Sequence, residues 1–201
     1  MLEAELIRER CPETVRVTEV RGPNIVQIRK AVIQHAGEEA WRELLSRVSE
    51  PCRARFEKPL GLYDWVEECH FTELSKAYIR WSGRHDAGKA GQVAAQEEFT
   101  TLHRWMLKMM NPGLLLASIP KFFAHYTRGG CVVVDKSGTG YAQISVWVDG
   151  FFPEWFSPGL TCWTQRALEL TGAKGVVVEY HPPEDTGPES CRHIYNLTWL
   201  T

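Results

Sequence analysis

Ser157-Pro158-Gly159-Leu160-Thr161-Cys162-Trp163-Thr164-Gln165-Arg166-Ala167-Leu168-Glu169-Leu170-Thr171-Gly172 is the stretch on which the fold turns. Ser157 suits a helix N-cap, Pro158 the first helical position, and Gly172 the left-handed residue after the last turn. The apolar residues between them recur at helical spacing, so 158–171 reads as a helix of about four turns. Val176-Val177-Val178-Glu179-Tyr180-His181 follows as a strand. Turn formers fill 182–190, and Cys191 to Leu200 makes a second strand. This helix, strand, hairpin, strand unit gathers Cys162, Glu179, His181 and Cys191 in one neighbourhood.

Working upstream, Val132 to Val134 reads as a buried strand and Asp135 to Gly140 as a turn. In the next strand Ala142, Ile144, Val146 and Val148 alternate with Gln143, Ser145 and Trp147. Before Gly129-Gly130 the periodicity is helical. Asn24 caps a helix carrying Ile25, Ile28 and Val32, which ends near His35-Ala36-Gly37. A second helix starts at Glu38, and a short third follows Ser49 and Pro51. Tyr63 to Trp81 reads as a helix, and Ala95 to Met109 as a long amphipathic one. Leu114 to Tyr126 is helical with Pro120 inside, where a kink or restart is expected. Val15 and Val17 suit a short edge strand.

The expected architecture is therefore α+β in a single domain, 1–201. A polar segment, 1–20, precedes a helical part of about six helices, 21–128. The sheet part, 129–201, is a four-stranded antiparallel sheet interrupted by one helix. Residues 24–127 are expected to be almost all helical.

The C-terminal half resembles the vinyl-4-reductase-type small-molecule-binding domain, which shares its fold with heme-NO-binding domains and Bet3-like tethering subunits. Cys162-Trp163, Gly172, the strand Val176 to Glu179, Gly187 and Cys191-Arg192 carry the likeness. The whole length is similar to a myxobacterial paralogous family, through Arg21-Gly22, Asn111-Pro112, Leu168 to Ala173 and the closing aromatic strand ending at Trp199. The resemblance implies a non-enzymatic sensor or adaptor that holds a small apolar or aromatic molecule and signals through a protein partner. It also implies a structural zinc on Cys162, Glu179 and Cys191. His181 stands in for a missing cysteine, next to Pro182-Pro183.

The residues themselves add to this. Glu179 and His181 are two apart on a strand and share a face, as do Cys191 and His193. Sulfur, nitrogen and oxygen donors all suit zinc, although no CxxC or HxxxH spacing is present. Phe99, Trp105, Met106, Phe122 and Phe123 are the expected helical walls of an apolar pocket, with Ile144 and Val146 as its sheet floor. The sequence speaks against heme. Tyr126-Thr127-Arg128 does not match the Tyr-x-Ser-x-Arg signature of heme-NO-binding domains, and His103 and His125 are lone helical histidines.

A net charge of −2 gives no electrostatic reason to expect nucleic acid. No run of residues is long and apolar enough to span a membrane, and a cytoplasmic location is expected. Its six cysteines are then mostly thiols. No Gly-x-Ser-x-Gly, Walker loop or HExxH is present. Cys69-His70 is a thin case for a Cys/His site, since adjacent helical residues diverge. A closed-core interaction scaffold, dimeric through its own surface, is the second reading, and an enzyme or accessory protein the third.

Overall fold

A computed structural model describes residues 15–61, 63–83, 107–149, 153–183 and 191–200. Strand β1 (Glu19–Arg21) runs straight into helix α1 (Gly22–Leu45), followed by α2 (Glu50–Glu57). Strand β2 (Trp65–Glu67) leads into α3 (Glu68–Ser82). Residues 107–109 are helical, and α4 (Pro112–Tyr126) then passes into β3 (Thr127–Arg128). The rest is β4 (Cys131–Gly138), β5 (Tyr141–Trp147), α5 (Pro153–Leu170), β6 (Lys174–His181) and β7 (Arg192–Leu200).

The large sheet is antiparallel throughout in the order β4-β5-β7-β6, and α5 interrupts it as expected. The β4–β5 turn is tighter than predicted. The strand continues to Gly138 through an irregularity between Val134 and Lys136, leaving Thr139-Gly140 as the loop. Helix α5 begins at Pro153 rather than Pro158, so Ser157 lies inside it and is buried. Its end is as read: Gly172 takes φ +96°, a conformation that glycine adopts without strain.

A second sheet, β2-β1-β3, was not expected. It places a strand at Trp65–Glu67, inside the stretch read as continuous helix, so α3 starts at Glu68 rather than Tyr63. Tertiary pairing decides here: Val66 lies opposite Val20, and both are buried. The predicted edge strand at Val15 and Val17 is a single bridge, Arg16 to Asp149. Strand β1 is central, not an edge. Gly129 lets this segment pass close, since a Cβ there would lie 2.0 Å from the Arg16 carbonyl oxygen.

In α1 the break read at Gly37 is real, with φ +82° and ψ 175° inside an otherwise helical run. The helix starts at Gly22, with Pro23 in its first turn, so Asn24 is not the cap. Helix α4 runs through Pro120 as one element, capped by Asn111, whose side chain accepts from the Leu114 N–H. Helix α3 shows why its sequence is helical. Phe71, Leu74, Tyr78 and Ile79 recur on one face and are buried, each contributing about 1.5–3 kcal/mol by burial. Ser49, at the head of α2, donates from its N–H and hydroxyl to the Glu73 carboxylate at 2.5 and 2.8 Å, tying α2 to α3.

The helices and the inner face of the large sheet share one core. Val132, Ala142, Ile144, Val146, His193, Tyr195 and Leu197 occupy that face in register. Cys52, Cys69, Cys162 and Cys191 are thiols, while Cys131 is in a disulfide.

Candidate ligand-binding site

Strand parity decides which residues can meet. On β6, Val178 and Tyr180 pack against the core, whereas Glu179 and His181 are exposed on the opposite face. On β7, His193, Tyr195, Leu197 and Trp199 point inward, and Arg192, Ile194 and Asn196 point outward. Three of the four inward β7 residues lie beside an inward residue of β5: Val146 with His193, Ile144 with Tyr195, Ala142 with Leu197.

The expected pocket residues divide accordingly. Ile144 and Val146 are buried on the inner face, as read. Phe122 and Phe123, on α4, are half-buried against the core. Phe122 meets Trp163 of α5 edge-on, with ring centroids 6.2 Å apart, so the two helices close against each other over the sheet. Phe99, Trp105 and Met106 lie outside the described residues.

The four expected zinc ligands are not brought together. Glu179 and His181 face outward, while α5, which carries Cys162, packs on the core side of the sheet through Ala167 and Leu168. No three of Cys162, Glu179, His181 and Cys191 have ligand atoms within 4.8 Å of one another. His181 is engaged elsewhere: its Nε2 lies 2.9 Å from Asn196 Nδ2, and Asn196 Oδ1 accepts from Gln143 Nε2 at 2.9 Å. These residues line an open groove of about 360 Å³ on the outer face, with Pro182, Pro183 and Arg192. Arg192 is held there by the Ser145 hydroxyl at 2.9 Å and by Asp135 at 3.4 Å.

A polar cluster that sequence reasoning missed sits on the inner face. Tyr180, His193 and Tyr195 meet there, with Ser157 of α5 beside both phenols. The Tyr180 hydroxyl is 2.9 Å from His193 Nδ1, and the two rings stack. Burial drives the His193 pKa down to about 4, so the imidazole is neutral, and its tautomer sets which partner donates in the hydrogen bond with Tyr180. Burial pushes both phenols upward, so they are neutral too. Among the described residues the Tyr195 hydroxyl is buried without a hydrogen-bond partner, with Ser157 as its polar neighbour. An orphaned buried hydroxyl costs about 1–3 kcal/mol, which marks a place where a ligand atom would be welcome. The signal was in the sequence: His193, Tyr195, Leu197 and Trp199 alternate in phase, and the apolar members set the buried side.

No family model matches this chain, and no curated protein does. Solved structures do match. The Fe(II) unliganded H-NOX protein from K. algicida aligns with TM-score 0.66 at 8% identity, over 90% of this chain and 97% of that one. The S. oneidensis H-NOX protein in the Fe(II)NO state aligns with TM-score 0.64 at 10% identity, over 90% and 99%. A third, from work on heme redox potential and porphyrin distortion, gives TM-score 0.60 at 9% identity, over 89% and 99%.

These matches overturn the expectation against heme, because structures of iron- and heme-bearing proteins share this backbone. The described residues do not by themselves complete such a site. His35, His125 and His181 are exposed, and His193 has Nδ1 tied to Tyr180. Arg128, the cation of Tyr126-Thr127-Arg128, pairs with Glu19 and stacks over Trp65 at 4.5 Å. His103 lies outside the described residues. Low identity limits the likeness to architecture: this chain has the H-NOX fold.

Proposed function

We propose that the protein is a non-enzymatic small-molecule sensor that binds its ligand between the helices and the inner face of the large sheet. The observation that supports this reading is the buried Tyr195 hydroxyl, without a partner among the described residues, beside neutral His193 on the inner face. Such a site suits a molecule with an apolar body and one hydrogen-bonding group. Phe122 and Phe123 are its helical walls, with Ile144 and Val146 as floor. The vinyl-4-reductase-type resemblance supports the same ligand class. Ligand entry would separate α4 from α5 at the Phe122–Trp163 contact, which gives a route for passing the signal to a partner protein or a second copy of the chain.

The fold likeness favours heme as a second reading. The two are separated by one set of measurements. Purified chain is titrated with hemin and followed for a saturable Soret band, and a panel of phenols and fatty acids is screened by thermal shift. A ligand at about 100 times its dissociation constant should stabilise the fold by roughly 2.7 kcal/mol. Tyr195→Phe should weaken a phenol that uses the hydroxyl and leave hemin unaffected. Neither a Soret band nor any ligand-induced shift would favour the closed-core scaffold instead.

A further inference from the structure

The sequence pair set aside as a thin case, Cys69-His70, is brought together with Glu67 at the junction of β2 and α3. We propose that Glu67, Cys69 and His70 form a surface site for one borderline-soft divalent metal ion, best matched by zinc, with a fourth position open to water or an outside donor.

The geometry points there first. Glu67 Oε2 lies 3.8 Å from Cys69 Sγ and 3.9 Å from His70 Nδ1, and one ligand atom from each residue falls within 4.8 Å of the others. Around a tetrahedral zinc, sulfur-to-oxygen and nitrogen-to-oxygen separations are about 3.6 and 3.4 Å, given the usual bond lengths. The two Glu67 separations therefore lie within a few tenths of an ångström of those values. Adjacent helical residues diverge inside a helix, but here Cys69 and His70 lie in the first turn of α3. Glu67, the residue that precedes the helix, bends back over that turn.

The donor set is selective. Thiolate, imidazole and carboxylate together suit zinc, whereas magnesium and calcium take oxygen donors. The platform is firm. Val66 and Phe71, on either side of the three ligands, are buried, and β2 is hydrogen-bonded to β1. Charge also argues for a cation. Glu67 lies directly across from Glu19, whose carboxylate is taken by Arg128. Among the described residues Glu67 itself reaches the thiol and the imidazole. Like charges opposite each other on paired strands are unfavourable, and an ion at Glu67 offsets that.

The neighbouring groups do not complete the shell. Cys52 is buried, with its sulfur 3.5 Å from the His70 carbonyl oxygen, and Glu73 is held by Ser49. Three protein ligands leave the fourth position to solvent, unlike a closed structural site. An ion there ties the end of β2 to the first turn of α3, where the small sheet joins the helical layer.

The test uses the full chain, stripped with chelator and free of heme, with cobalt(II) as a spectroscopic probe and no thiol reductant. The expected result is a thiolate-to-cobalt absorption in the near ultraviolet with tetrahedral d–d bands, saturating at one equivalent and displaced by zinc. Cys69→Ser and His70→Ala should each weaken binding about tenfold or more with unchanged helical circular dichroism. Cys191→Ser should leave the spectrum intact. Three outcomes overturn the proposal: no saturable band, a band that survives Cys69→Ser, or one that disappears with Cys191→Ser.

Discussion

Acidification should destabilise this protein through one buried imidazole. His193 is 3% exposed, sits between Val146 and Tyr180 on the inner face, and shares a hydrogen bond with the Tyr180 hydroxyl through Nδ1. Protonation would place a charge in the core, and burial penalises that charged form. The folded-state pKa is accordingly about 4, against 6.5 for a free histidine. Between these values the unfolded chain binds a proton that the folded chain refuses. The stabilisation is therefore complete above pH 6.5 and falls away as the pH drops towards about 4. Its full size is about 3 kcal/mol, a large part of a typical domain's stability. The assay is urea denaturation from pH 7.5 to 4, comparing the parent with His193→Gln. Glutamine keeps an acceptor for Tyr180 and cannot titrate in this range. Both proteins share the carboxylate contribution, so the difference between their pH slopes isolates His193. Parallel slopes between pH 6.5 and 4.5 would refute the reasoning, whatever the absolute stabilities.

Two further substitutions probe the frame around the site. Tyr195→Phe removes a buried hydroxyl that lacks a partner, so the ligand-free protein should gain roughly 1 kcal/mol, read from the denaturation midpoint. A loss of that size would mean that the hydroxyl is satisfied in the free protein. Gly129→Ala puts a Cβ about on top of the Arg16 carbonyl oxygen at a backbone with φ +83°. It should cost about 2 kcal/mol or more and increase amide exchange at Thr18, whose N–H bonds to the Arg128 carbonyl.

Much of the fold was legible because two periodicities changed over at one place. Val132 to Val134 form a continuous apolar run, Ala142 to Val148 alternate, the preceding residues repeat at helical spacing, and glycines mark the seam at 129 and 130. The breaks at Gly37 and Gly172 were readable because glycine sits where the backbone needs positive φ. The small sheet was not readable. Its strands are two or three residues long, and nothing local distinguishes Trp65-Val66-Glu67 from a first helical turn. Only the distant Val20 makes it a strand.

The candidate site failed on parity in one respect. Glu179 and His181 share a face, as read, but it is the outer one, because Val178 and Tyr180 claim the core. The residue types with metal chemistry stand on the positions that alternate with the apolar set, which places them on the outer face. Cys69 and His70 illustrate the converse. Helix geometry separates adjacent side chains, yet the first turn has a residue before it that does not obey helical spacing, and Glu67 uses that freedom.

The small sheet also sets a constraint on biosynthesis. Its central strand, β1, leaves the ribosome well before either of its partners, and the Thr18 hydroxyl reaches the Arg128 carbonyl across 110 residues of chain. Until β3 emerges, one side of β1 must stay unpaired, with Val20 lacking part of its cover. Closing so long a loop late makes the last step slow and leaves a nascent edge open to other chains. The acidic and basic side chains that bracket Val20, Glu19 and Arg21, keep that waiting strand from being wholly apolar.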